Sequence, residues 1–383
     1  MRHNNSVLHA LLKQVPWAEF DRLVEAHGAD RRVRRLTTKS QFVALLYGQL
    51  AGAASLREIE TALTSHQVRL YHVGARSVSR STLADANARR PAAVFSGLFA
   101  HMAGRLGREF KRKIGEAVRL IDSTGLRLAG LGAEWARFSA TACGAKLHVV
   151  YDPDADRPLY AAVTPARVHD ITPAKAMPIE AGATYVFDLG YYDYGFWAKL
   201  DQAGCRLVTR LKTNTPLCVV AENTPPEASA IRSDRIGFLP MRLARSRTNP
   251  MRDPVREVRV ELDTGKVLRL VTNDLDAPAE EIADLYRRRW AIELFFRWVK
   301  QTLKIKHFLG TSENAVRIQI AVALIAFLLL RLAQPASTIR SPLAFARLVR
   351  ANIMHRRWIH DLLKPPPNLN ADPRQLTFPF ASS

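Results

Sequence analysis

Three acidic residues carry the chemistry open to this sequence. Asp122 ends the apolar run AVRLID (117–122), Asp188 follows the apolar residues of TYVFDLG (184–190), and Glu293 is the single acid in YRRRWAIELFFRWVKQTLKIK (286–306), which holds seven Arg and Lys residues. A carboxylate at the end of a buried strand stands at a sheet rim, where a rigid frame holds it over a cleft; taken singly, such an aspartate is ordinarily a turn or cap residue. Meeting in space, the three would concentrate enough negative charge for divalent metal. Mg²⁺ prefers oxygen ligands and keeps waters while bound by one or two carboxylates plus substrate phosphates. Two such ions about 3.5–4 Å apart activate a water or a 3′-hydroxyl on one side of a phosphorus and stabilise the leaving oxygen on the other. The surrounding Arg and Lys would bind phosphates beside the cut and neutralise charge that grows in the transition state.

The elements must bring these acids together. At about 100° per residue, Tyr286, Arg289, Glu293 and Lys300 fall within about 60° of one another on one helical stripe. Leu285, Ile292, Phe296, Val299 and Leu303 form the adjoining apolar stripe, so packing it on a sheet leaves the polar stripe at the sheet's edge. The competing reading has Glu293 paired with Arg289 or Arg297 on a solvated face. Apolar runs at 117–122, 146–152, 159–165, 184–190 and 205–212, with helical patterns at about 170–181 and 192–203, predict three strands in succession, then helix, strand, helix, strand. That is an α/β fold, a mixed sheet flanked by helices. Between 214 and 275, EVRVEL and KVLRLVT flank the turn DTG (263–265), a hairpin signal within a β-rich insertion. Helices resume at about 279 and run to about 362. The longest apolar run among them, IQIAVALIAFLLL (318–330), is shorter than the ~20 residues of a spanning helix and reads as buried.

Residues 1–105 read as a helical domain and 363–383 as an irregular tail. Ser55 and Glu58 have capping-box spacing, and a second polar start, SVSRSTLADANARR, leads into a helix ending before Pro91. RRVRR (31–35) lies between helices and admits two readings, docking on DNA in helix-turn-helix fashion or an ordinary solvated charge run. The formal charge of +21, from 56 Lys and Arg against 35 Asp and Glu, favours a polyanionic partner, because each cation set against a phosphate releases a counterion. Cys143, Cys205 and Cys218 form no CxxC pair and are expected to be small core residues of a reducing cytoplasm rather than a zinc site. The first residues lack a signal-peptide core, and the stripes of the basic helix leave no wide apolar face for a membrane. His148 and His169 receive no role, and Asp170 is expected to cap the helix that follows it.

Tyr286, two residues, Arg289, three residues, Glu293, six residues, Lys300 resembles the Y-(2)-R-(3)-E-(6)-K signature of the IS4 family of insertion-sequence transposases. IDST (121–124) and DLGYYD (188–193) resemble that family's first and second aspartate motifs, and the long gap from Asp188 to Glu293 resembles its β-strand insertion. The resemblance covers about 115–330 and implies an RNase H-like domain over 106–362, interrupted by a β-rich insertion at about 214–275. It implies cut-and-paste movement of double-stranded DNA, with terminal inverted repeats and target DNA as partners, a homodimer in the synaptic complex, and a site of action at the nucleoid. Asp122, Asp188 and Glu293 would hold two Mg²⁺ ions, for which Mn²⁺ can substitute. Tyr286, Arg289 and Lys300 would contact phosphates near the transposon end, with Arg210 and Lys212 as a further basic pair. The resemblance also implies a hairpin intermediate, but residues 215–275 contain no Trp or Tyr and only Phe238 to hold a flipped base; Trp290 and Trp298 lie on the signature helix instead. A nuclease that cuts without joining and a DNA-binding relic without activity are the competing functions.

Overall fold

The computed structural model describes residues 6–110, 117–129, 133–225, 227, 229–242, 248–303 and 308–363, without the side chains of 106–110. The tail expected to be irregular lies outside the described residues from 364 onward. Seven helices come first: α1 (Val7–Leu12), α2 (Trp17–Ala26), α3 (Thr38–Ala51), α4 (Leu56–Ser65), α5 (Gln67–Leu70), α6 (Arg80–Arg89) and α7 (Ala92–Phe110). Their starts follow local chemistry. Ser55 Oγ accepts from the Glu58 amide at 3.1 Å, and the Glu58 carboxylate reaches back to the Ala54 amide at 2.8 Å, so the expected capping box forms one residue wider than the simplest version. Ser79 caps α6 in the same way through the Thr82 amide.

Strands β1 (Val118–Leu128), β2 (Cys143–Asp152) and β3 (Arg157–Pro165) follow as an antiparallel meander. The chain then crosses through α8 (Ile171–Ala176) to β4 (Thr184–Phe187) and through α9 (Tyr194–Gln202) to β5 (Arg206–Arg210), both parallel to their neighbours. The predicted order of elements is therefore present, and the sheet is the RNase H-like one. β4 is buried along its whole length, as a parallel strand covered on both faces must be. Side chains alternate between two cores: Leu120, Val186 and Val208 face one, Ile121, Phe187 and Leu207 the other. Asp170 differs from expectation. It makes no side-chain cap on α8, because its carboxylate is turned to Lys146 Nζ at 2.9 Å.

The insertion extends this sheet. Strands β6 (Cys218–Asn223), β7 (Ile231–Phe238), β8 (Val255–Glu261) and β9 (Val267–Thr272) continue it in the order β3-β2-β1-β4-β5-β9-β8-β7-β6, with β9 antiparallel to β5. β8 and β9 are the predicted hairpin, turned at Gly265 with φ +75°. Pairing of β9 covers the edge amides that β5 would otherwise expose.

Helices α10 (Ala279–Arg288), α11 (Trp290–Thr302), α12 (Glu313–Ala333) and α13 (Pro342–Asn352) complete the fold. α12 contains the run 318–330 and packs on α3, α6 and α7. With the turn after it, the helix is long and apolar enough by composition to cross a membrane, yet 83% of its apolar window is buried inside the protein. It is a core helix. Of the cysteines, Cys205 is buried as expected; Cys143 is half-buried and Cys218 exposed, since β6 has all six residues on the surface.

Candidate active site

Register places the two aspartates side by side. The parallel pairing of β1 with β4 ends at Ile121 opposite Phe187, so Asp122, within β1, and Asp188, just past the end of β4, are the residues that follow the last pair. Asp122 is not at a strand end, as its sequence context implied: β1 continues to Leu128 against β2, and it is β4 that stops. Asp122 Oδ1 accepts from the Ser123 amide at 2.7 Å, and Asp188 Oδ1 from the Gly190 amide at 2.8 Å. Space at Gly190 is tight. A Cβ there would stand 3.0 Å from Asp188 Oδ1 and 3.3 Å from Asp170 Oδ2, which also locates Asp170 as a fourth acid beside the pair.

The signature segment is broken where a single helix was expected. Arg289 separates α10 from α11: its amide donates to Tyr286 O at 3.1 Å and its carbonyl accepts from the Ile292 amide at 3.2 Å, both three-residue spans that tighten the turn. α11 then buries Ile292, Phe295, Phe296 and Val299, with the Phe295 ring 4.9 Å from that of Tyr151. This packing turns Glu293 toward Asp122. Arg289 lies between them, Nη2 at 2.6 Å from Glu293 Oε1 and Nη1 at 3.5 Å from Asp122 Oδ2. Its Nε is buried without a hydrogen-bond partner. A cavity of about 410 Å³ opens beside them, walled by Asp122, Ser123, Thr124, Glu293, Arg297 and Lys300.

Charge sets the character of this cleft. Burial pushes the Asp122 carboxyl up to about 6; the Ser123 amide opposes that, Asp188 and Glu293 add to it, and Arg289 opposes it. The Tyr286 hydroxyl is raised by burial and by Asp188, against the pull of Arg289 and Arg210. Arg289, Arg210 and Asp188 thus lie near Tyr286, while Lys300 and Arg297 line the cavity. The Arg289 guanidinium lies 5.8 Å from the centre of the Tyr286 ring. Lys212 is directed elsewhere, its Nζ 4.4 Å over the Tyr192 ring. Trp298 packs edge-on against Phe327 at 5.1 Å, whereas Trp290 is exposed.

Three further side chains lie near the acids: His148, which received no role from the sequence, Tyr191, which lies within DLGYYD, and Lys146, which the sequence did not single out. The buried Tyr191 hydroxyl is raised by burial and by Asp122, Asp170 and Asp188. Lys146 balances Asp170, and His148, which pairs across from Ser123, bonds Thr164 through Nε2 at 2.8 Å. Burial drives this histidine down to about 4, so it is neutral.

No three Asp, Glu, His or Cys side chains among the described residues stand within reach of one ion. The donor set nevertheless suits a hard cation. Asp122, Asp188 and Glu293 offer carboxylate oxygens, and a guanidinium already takes a cation's place between Asp122 and Glu293.

Residues 113–329 match the family of transposase DDE domains, and residues 3–76 match a domain of unknown function. A Sinorhizobium fredii protein bearing the name of a transposase is 41% identical over 311 residues, 79% of this chain and 87% of that one. A Geobacillus stearothermophilus protein, named as a transposase of the insertion sequence IS5377, is 31% identical over 245 residues, 63% of each chain. In Synechocystis, a protein named for the element IS4SA is 39% identical over 71 residues, 17% of this chain and 21% of its own. The chain belongs to the DDE transposases of insertion sequences.

Proposed function

We propose that the chain excises and integrates an insertion sequence by Mg²⁺-dependent phosphoryl transfer on double-stranded DNA. The observation that supports this reading is that Arg289 bridges Asp122 and Glu293 beside a cavity lined by Arg297 and Lys300, with Asp188 just past the end of the strand that pairs with β1. The three carboxylates would hold two Mg²⁺ ions, with Mn²⁺ as a substitute. Bound there, such ions supply Lewis acidity and a water or 3′-hydroxyl that ionises near neutral pH. The chain's own groups do the rest. Arg289 moves from the acids to a phosphate oxygen as the site is charged, and Tyr286, Arg210 and Lys300 hold the strand beside the reacting phosphorus. Lys212 steadies the flanking backbone. Phe238, exposed on the insertion beside the apolar side chains of Pro240 and Met241, is the aromatic available to a flipped base if a hairpin forms. Residues 1–105 serve as the DNA-binding domain, two copies pair the ends, and the site of action is the nucleoid.

The test uses DNA carrying the inverted repeats that flank the gene. Glu293→Gln is expected to reduce Mg²⁺-dependent cleavage to background while DNA binding persists; unchanged cleavage rejects the triad. Cleavage by the native protein with no joined product would favour a nuclease.

A further inference from the structure

The loop between α2 and α3 is bolted at both ends. Gly28, at φ +57°, turns the chain out of α2, and Asp30 Oδ1 accepts from the amide and the hydroxyl of Thr38, each at 2.7 Å. At the far end Leu36 is buried, and its carbonyl accepts from the buried guanidinium of Arg90, which also donates to Gln41 Oε1 at 3.2 Å. Between these fixtures Arg31, Arg32, Arg34 and Arg35 are exposed. Their side chains enter no ion pair or hydrogen bond among the described residues. Arg32 is held at φ +62°, a left-handed conformation that costs a residue with a Cβ about 1–2 kcal/mol. Such conformations cluster at working sites.

These arginines line an open cavity of about 640 Å³ together with Thr82, Arg89 and Arg90. The carboxylate on its wall, Asp85, is ion-paired to Arg89. Six guanidinium groups around one concavity leave an excess of positive charge that an anion must balance. Guanidinium forks match phosphate oxygens two at a time. No Phe, Tyr or Trp lines the cavity, so it offers no platform on which unpaired bases could stack, as single-strand binders do.

We propose that this cavity seats the phosphate backbone of double-stranded DNA; the inference rests on the reading above that DNA is the substrate, and adds where the N-terminal helices grip it. The seat is joined rigidly to the catalytic half. Asn314 Nδ2 donates to Asn87 O at 2.9 Å and Arg90 O at 2.6 Å, and its Oδ1 accepts from the Ala92 amide at 3.2 Å. Asn314 lies in the first turn of α12, which packs on the α11 that carries Glu293. DNA held at the loop is therefore held at a set position relative to the acids. Because phosphates carry no base identity, the grip is independent of sequence.

Anisotropy titrations of the full chain against a random duplex of about 30 base pairs, over a range of salt, test this. Replacing Arg31, Arg32, Arg34 and Arg35 together by Ala is expected to flatten the slope of log affinity against log salt by about 2–4, since each lost phosphate contact removes about 0.9. Four lysines in their place should retain most of the slope. An alanine variant that melts like the native chain and keeps the native slope overturns the proposal, as does a loss confined to single-stranded RNA. If the alanine variant does not fold, Arg34→Glu with Arg35→Glu decides by the same slope. The two readings fail separately: undiminished cleavage by Glu293→Gln removes the triad and leaves the seat, whereas an unaltered salt slope removes the seat and leaves the triad.

Discussion

Arg289 sits between Asp122 and Glu293 and offsets repulsion that the fold itself creates by stopping β4 at Phe187. Burial, the larger influence, still pushes the Asp122 carboxyl up to about 6, and Asp188 and Glu293 add to it. A carboxyl raised on folding contributes stability that is complete below its unfolded value, near 4, and lost as pH climbs through about 6. Asp122→Asn is therefore expected to be more stable than the native chain at pH 7.5, by about 1–3 kcal/mol, in melts run with EDTA. The gap should close at pH 4; an equal gap at both values would refute this electrostatic account. At this scale the sequence was informative where spacing alone sets geometry. Glu293 and Arg289, four apart, were legible as partners, and the apolar runs before Asp122 and Asp188 marked both as sheet-borne. Asp170 and Lys146 were not, because their meeting depends on β2 and the turn after β3 folding onto the same site.

Among the elements, the insertion shows why part of the sheet escaped sequence reading. β8 and β9 alternate apolar residues and announce themselves, whereas β6 lies wholly exposed at an edge and β7 carries charges where a core pattern was sought. Those charges are partnered across strands. Asp234 and Arg256 are both buried and meet through two hydrogen bonds of 2.7 Å, and the fully buried Glu257 is shared by Arg235, Arg259 and Arg269. Breaking such a pair strands a buried charge at a cost of about 3–5 kcal/mol. Asp234→Ala should accordingly lose hydrogen-exchange protection across β7, β8 and β9 while β1 to β4 keep theirs. Asp234→Leu combined with Arg256→Met should recover most of it, and no recovery would argue that the strands are held by something other than this pair. The break at Arg289 was equally hidden, since a helical wheel assumes an unbroken helix.

Across the whole molecule, one hydrophobic core runs from Leu8 and Phe42 in the N-terminal helices through α12 to Leu120 and Val208 of the sheet. Leu328, fully buried in α12, is expected to cost about 2–5 kcal/mol when replaced by Ala. Hydrogen exchange should report that loss in α3 and β1 together; loss in α3 alone would mean the two halves unfold independently. The apolar run of α12 was legible as a buried helix, but which surfaces bury it was not, for periodicity vanishes when a helix is covered on all sides. That placement has a bearing on biosynthesis. Residues 313–333 leave the ribosome after α3, α6 and α7 have already been made, so the nascent N-terminal half waits with greasy faces open to solvent. Until that late segment arrives, unfinished chains are natural clients of chaperones and proteases.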